Sequence, residues 1–320
     1  MGKDLVTRLA ALQGALRETP VVPLDLEDGI KLFAKLECNN PVGSLKDRPA
    51  LWILNRAAER RDIDERTTLI ESSSGNFASA VAFYAQQISL KFIPVVDPNI
   101  NDTYERFLRQ LCEEVVKVTE RDETGGFLKT RLEKVKELCA SIERSYWTNQ
   151  YGNPDAVEAH YRFTAGEICS QFSSLDYVFV GVSTGATIAG VSRRLKEKFP
   201  RLQVIAVDAQ GSVIFGDAPR KRRISGLGAS VRSDLVNQAL IDDVVIIPEI
   251  ETVHGCRELF ARHGLLVGGS SGSCYAAIKR YLPRLRSSSP PTVLFLCADR
   301  GVAYADTLFN DAWVTRSLDH

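Results

Sequence analysis

Lys46 stands where the turn Pro41-Val42-Gly43-Ser44 runs into the apolar-periodic segment DRPALWILNRA. A lysine amine is nucleophilic only when neutral, and a partly desolvated cleft beside the positive end of a helix favours the neutral form that Schiff-base chemistry requires. At a random position the same residue is a surface lysine at a helix start. Three strings of small hydroxyl residues and glycines accompany it: Ser72-Ser73-Ser74-Gly75-Asn76, Ser183-Thr184-Gly185-Ala186-Thr187 and Gly268-Gly269-Ser270-Ser271-Gly272-Ser273. Each follows a β-branched run and opens a helical one, so backbone N–H groups gather at a helix N-terminus and favour a phosphate or carboxylate there. Any one of them is also an ordinary N-capped βα turn, but three together favour anion cradles. Neither G-x-x-x-x-G-K-[ST] nor G-x-G-x-x-G occurs, so the expected phosphate belongs to neither a nucleoside triphosphate nor a dinucleotide.

The elements that must position these residues show a βαβ rhythm. TTLIE precedes FASAVAFYAQQ, KFIPVV precedes TYERFLRQL, and VVKV precedes FLKTRLEKVKELC; after Tyr151 the rhythm restarts with YVFVGV, LQVIAVD, DVVIIP, LLVGG and TVLFLC. Short apolar runs separated by helix-length segments predict parallel strands, whose ligands collect at the carboxyl ends. Two such α/β domains fit better than one. No repeat, low-complexity tract or Pro-rich linker separates them, so they are expected to share a cleft. Near the start, VVPLDLE and IKLFAKLE flank Asp28-Gly29, the signature of a tight hairpin and a two-stranded ribbon.

Composition narrows the partners. Forty basic residues balance forty acidic ones over 320 residues, so no overall field draws nucleic acid or an anionic membrane. The one dense basic run, Arg220-Lys221-Arg222-Arg223, reads as a solvated face. Seven scattered cysteines without C-x-x-C spacing point to reduced thiols and to no metal site. Charges at Lys3, Asp4, Arg8, Arg17 and Glu18 leave no apolar leader, and no stretch reaches membrane-spanning length, so a cytoplasmic location is expected.

The string NNPVGSLKDR, followed in order by SSSGN, STGAT and GGSSGS, resembles the tryptophan-synthase-like (fold type II) pyridoxal-phosphate family that includes cysteine synthase and cystathionine β-synthase. The likeness covers nearly the whole chain. It implies two open parallel-sheet αβα domains: a smaller, mobile substrate-binding domain (1–18 and 38–149) and a larger one that binds the cofactor phosphate (19–37 and 150–320). It further implies pyridoxal 5'-phosphate as cofactor, held as a Schiff base on Lys46, with the same lysine shuttling the Cα proton. Asn76 would bond the cofactor's 3'-oxygen, and Ser73, Ser74 and Gly75 would grip the substrate carboxylate. Ser183, Thr184, Gly185, Ala186 and Thr187 match the phosphate cradle, Gln150 a glutamine over the substrate loop, and Ser270 the residue facing the pyridine nitrogen. A neutral hydroxyl there cannot keep that nitrogen protonated as a carboxylate would, which favours elimination of a β leaving group over transamination. Homodimers are usual in this family.

Within the family, VDAQGSVIFGDAPRKRRISGLGAS from Val207, with its Gly228, together with Gly125-Gly126-Phe127, KTRLEKVKELC and YWTNQYGN, resembles the siderophore-pathway branch that joins O-phospho-L-serine to L-glutamate as a route to 2,3-diaminopropionate. Three departures from the cysteine-synthase pattern fit a larger polar nucleophile: Phe77 for threonine, Tyr151 for phenylalanine and Ser183 for glycine. The two added hydroxyls can bond a charged substrate, whereas sulfide needs neither. Arg131 offers a bidentate carboxylate or phosphate partner if its helix faces the cleft, and is otherwise a solvent-facing arginine. The rival readings are a cysteine-synthase-like enzyme using O-acetylserine or phosphoserine with a sulfur nucleophile, and a non-catalytic binding protein on the same fold. Intact Lys46, Asn76 and Ser270 argue against the second.

Overall fold

The computed structural model describes residues 4–26, 29–123, 125–285 and 289–318. Its strands are β1 (Val21–Leu24), β2 (Lys31–Lys35), β3 (Thr68–Ser72), β4 (Lys91–Val96), β5 (Val116–Lys117), β6 (Ser145–Trp147), β7 (Tyr177–Gly181), β8 (Gln203–Ala209), β9 (Asp243–Ile247) and β10 (Thr292–Leu296). The chain divides into two compact units, one made of the residues up to Arg17 with Lys46–Ala159, the other of Glu18–Leu45 with the chain from His160 onward. Glu18 and, more substantially, the two segments 38–45 and 150–159 thus lie on the opposite sides of the boundaries drawn from the sequence. The bonding explains both. The N–H groups of Cys38 and Leu45 donate to the carbonyls of Cys297 and Ala298, while the short helix Pro154–Ala159 packs on the helix Asp47–Glu59.

The first unit holds a parallel sheet of order β5-β4-β3-β6. Its central strands are apolar on both faces, as strands covered by helices must be: Leu69, Ile70, Val95 and Val96 are buried. Each such side chain withdrawn from water contributes on the order of 1.5–3 kcal/mol. The helix Asn76–Gln87 buries Phe77, Ala78, Ala80, Val81 and Ala82; its run of small residues lets the backbone lie close to the sheet. The edge strand β6 is short and carries no alternating pattern, so sequence periodicity passes over it.

The second unit holds a sheet of order β1-β2-β10-β7-β8-β9, parallel throughout except that β1 pairs antiparallel with β2. The expected ribbon is therefore present as β1 and β2. Of its turn, Asp28 lies outside the described residues, while Gly29 takes φ 70°. LLVGG, expected as a strand, is not one. The Leu265 N–H is spent capping the helix Glu249–His263 through the Leu259 carbonyl, and Val267 makes only an isolated bridge to Arg300. A second correction concerns the basic run: Arg222 turns inward, and its guanidinium donates to the carbonyls of Gly211 and Ala229.

Candidate active site

In the first unit, the carboxyl ends of three neighbouring strands bring polar residues to one edge of the sheet, where ligands of parallel sheets collect. β3 runs into Ser73-Ser74-Gly75, β4 into Asp97, and β6 into the turn holding Gln150 and Tyr151. Ser73 Oγ accepts the Ala78 N–H and so caps the helix Asn76–Gln87, with Gly75 as its N-terminal boundary. Ser74 stays half-buried, its hydroxyl donating to Asp97 Oδ2 at 3.3 Å and accepting from Arg131 Nη1 at 2.9 Å. Arg131 Nε also lies 3.3 Å from Asp97 Oδ2. Asp97 is 8% exposed and Arg131 11%, so this pair is shielded from the screening that weakens surface ion pairs. Arg131 belongs to the helix Leu128–Ser141 and faces the loop, not solvent.

Half-buried Tyr151 has its hydroxyl pKa raised by burial, with the neighbouring Arg131 charge pulling the other way. Gln150 is buried; its side chain donates to the Ser72 carbonyl and its backbone N–H to Glu71. Phe77 is 2% exposed and fills the helix–sheet core below the loop. Tyr104 donates its hydroxyl to Asn76 Oδ1 at 2.7 Å. Lys46 is half-buried at the N-terminal boundary of the helix Asp47–Glu59, where its carbonyl accepts the Ala50 N–H.

Beneath this edge lies Glu71, wholly buried on β3. Its carboxylate accepts the N–H groups of Ser72 and Gln150, the Thr148 hydroxyl at 2.6 Å and, at 3.4 Å, the Trp147 indole N–H. Loss of water drives its pKa up to about 7 despite these donors. One side chain thereby ties the loop after β3 to the turn after β6. Sequence reasoning missed Glu71, Asp97 and Tyr104; the available signals were a carboxylate inside the apolar run TTLIE and another closing KFIPVVD.

In the second unit, β7 runs into Ser183-Thr184-Gly185 and the helix Ala186–Lys198. Gly185 has φ 89°, and a β-carbon there would come within 2.6 Å of the Val236 backbone nitrogen, so only glycine suits the turn. The N–H groups of the first helical turn have no acceptor within the helix, and Thr184 and Thr187 flank them, both nearly buried. Half-buried Ser183 donates its hydroxyl to the Gly228 carbonyl at 3.1 Å, while the Gly228 N–H donates to Val182. Gly228 has φ 74° and packs on Ser212 and on buried Asp208, whose pKa burial raises to about 6. Ser270, half-buried at the start of the helix Gly269–Leu285, lies beside Gly181 at the end of β7. A further residue that the sequence reading missed is His160, buried against Thr187.

This donor set fits a phosphate: a positive-φ glycine turn, helical N–H groups without acceptors inside the helix, and buried hydroxyls. The chain is 42% identical over 302 residues to N-(2-amino-2-carboxyethyl)-L-glutamate synthase of Ralstonia nicotianae, covering 93% of this chain and 89% of that one. Among solved structures, the O-acetylserine dependent cystathionine beta-synthase from Helicobacter pylori superposes with a TM-score of 0.84 at 29% identity, over 96% of this chain and 98% of that one. A hydrogen sulfide-producing enzyme from Fusobacterium nucleatum does so with a TM-score of 0.84 at 26% identity, over 95% and 100%. These neighbours share the type II fold expected from the motifs. Residues 12–299 match the family model described as pyridoxal-phosphate dependent enzyme, and on that span the chain belongs to this family of pyridoxal-phosphate dependent enzymes.

Proposed function

We propose that this enzyme catalyses β-replacement: O-phospho-L-serine loses phosphate from Cβ, and the amine of L-glutamate takes its place to give N-(2-amino-2-carboxyethyl)-L-glutamate. The carrying observation is the shielded Ser74–Arg131–Asp97 cluster, which sets a guanidinium fork beside a loop suited to a carboxylate. Similarity to a relative named for that product supports the same reading.

When bound, pyridoxal phosphate supplies an aldehyde for amines and a ring that draws electrons from Cα. Lys46 Nζ is the group that holds the aldehyde, then takes the proton from Cα and returns it after the new bond forms. Ser73, Ser74 and Gly75 bind the amino acid's α-carboxylate. Asn76 would bond the ring's 3'-oxygen, Ser270 would face its nitrogen, and Ser183–Thr187 would hold its phosphate. Arg131 and Tyr151 orient the additional anionic group that phosphoserine or glutamate carries and sulfide lacks, and Gln150 braces the loop from below. The bond from Cβ to phosphate oxygen breaks with its electron pair leaving on phosphate, and the glutamate nitrogen gives up one proton as it joins Cβ. The setting is a cytoplasmic homodimer serving 2,3-diaminopropionate and siderophore synthesis; among the described residues no helix is long and apolar enough to cross a membrane.

Incubating the holoenzyme with phosphoserine and glutamate is expected to yield one equivalent of phosphate for each condensed product identified by mass. Turnover of O-acetylserine with sulfide, and none with glutamate, would replace this reading by the cysteine-synthase-like one, which the 29% identical cystathionine beta-synthase favours.

A further inference from the structure

His160 touches two hydroxyls and no solvent. Its Nδ1 lies 2.9 Å from Thr164 Oγ1 and its Nε2 3.2 Å from Thr187 Oγ1. His160 and Thr164 are 0% exposed and Thr187 7%. The first two residues bound a single π-helical turn, His160–Thr164, an irregularity that recurs at functional sites. Thr187 sits in the first turn of the helix that follows the glycine turn.

We propose that His160 is a positioning residue for this loop: neutral and protonated on Nε2, it turns the single hydrogen of the Thr187 hydroxyl toward the bound phosphate. The inference rests on the reading of Ser183–Thr187 as the phosphate holder. A hydroxyl has one hydrogen and two lone pairs. If Thr187 donates to His160, its oxygen turns lone pairs toward the anion and repels it. If Thr187 donates to the anion, it must accept from the ring, which fixes the ring proton on Nε2. A neutral imidazole then has a bare Nδ1, and the Thr164 hydroxyl is placed to fill it. The result is a one-way chain of donors, Thr164 to His160 to Thr187 to phosphate, each bond polarising the next in a dry setting. A tautomer is thus set by the hydrogen bond at the other ring nitrogen, as in histidines that act through a neighbour.

Two measurements on the holoenzyme test the chain. Nitrogen-15 spectra of histidine-labelled protein, which has four histidines, identify His160 as the signal missing from His160→Gln; the expected form near neutral pH is the neutral Nε2–H tautomer. Release of pyridoxal phosphate on dilution is then followed by absorbance. Thr164→Val, which keeps shape and removes only the donor, should speed release several-fold, and Thr187→Val roughly tenfold. Because Thr164 acts only through Thr187, adding Thr164→Val to Thr187→Val should change release little. His160→Gln, which keeps an N–H donor, should release more slowly than His160→Leu. A ring protonated on Nδ1, a charged ring, or effects of Thr164→Val and Thr187→Val that multiply would overturn the proposal. Should Thr187→Val release the cofactor at the wild-type rate, the phosphate reading of the loop fails and the proposal falls with it.

Discussion

Arg131 Nη1 donates to the Ser74 hydroxyl at 2.9 Å, so a cation on one helix fixes the hydroxyl of a loop on another element of the same unit. A ligand carboxylate that replaced the hydroxyl's acceptance of this bond would meet a fork already oriented by Asp97. Preorganisation of this kind favours binding because little side-chain freedom is lost when the ligand arrives.

Arg131→Lys keeps the charge and loses the fork. We expect kcat/KM for condensation with glutamate to fall roughly tenfold or more, the loss of one charge-assisted hydrogen bond of about 1.5–3 kcal/mol. The absorbance of the bound cofactor should not change. Wild-type kinetics in this variant would remove Arg131 from the substrate site.

Lys46→Ala should abolish turnover, since both the amine that holds the aldehyde and the base for Cα are lost. Borohydride treatment of the wild-type enzyme should fix the cofactor to the peptide containing Lys46. An adduct mapped to any other lysine would contradict the role given to Lys46.

Glu71 makes stability depend on pH with a definite sign. Its folded pKa, about 7, is above the ordinary value of 4.5 because burial disfavours the charge. The folded state therefore holds this proton more tightly than the unfolded one. The stability it contributes is complete below about 4.5, declines as pH rises through the interval up to 7, and is gone above it. Urea titrations of wild type and Glu71→Gln across that window should give a shallower slope in the variant. The variant should also be less stable throughout, because an amide nitrogen then faces N–H and O–H donors. Equal slopes would refute the assignment.

Tyr151→Phe and Ser183→Gly should act on substrates and leave cofactor binding largely intact, because backbone N–H groups and Thr187 still supply most of the phosphate's hydrogen bonds when the Ser183 hydroxyl is gone. Ser183 already donates its proton to Gly228, so its oxygen can serve a ligand only as an acceptor unless that bond is given up. The larger loss, roughly tenfold in kcat/KM, is therefore expected for Tyr151→Phe. Phosphate release and glutamate consumption should be measured separately in the single and double variants, whose effects need not add. Wild-type rates for both steps in all three would show that neither hydroxyl reads the substrate.

Periodicity was enough to locate most strands and the helices that follow them, because each carries an unbroken apolar run such as KFIPVV or a clear helical stripe such as DRPALWILNRA. It misplaced LLVGG, where Val267 makes only an isolated bridge and the Leu265 N–H is used in a helix cap. At the site, loops of glycine and hydroxyl residues announce themselves by composition. Glu71, Asp97 and His160 do not, since a single buried polar residue acquires its meaning from partners far along the chain. Thr148 and Gln150 for Glu71, Arg131 for Asp97 and Thr187 for His160 are contacts that local pattern cannot supply.

The order β1-β2-β10-β7 places the strand nearest the C-terminus between one from the beginning of the chain and one from its middle. During synthesis, then, β2 and β7 emerge long before β10 and must wait for it with open edges, whereas every strand of the other sheet has been made once Trp147 has left the ribosome. Pairing across so much sequence is slow because loop closure must come before the contacts reward it. A nascent chain stopped short of Thr292 would carry two unpaired apolar strand edges, the template on which chains aggregate. The codons for Thr292–Leu296 thus decide whether the larger unit closes or is left for chaperones.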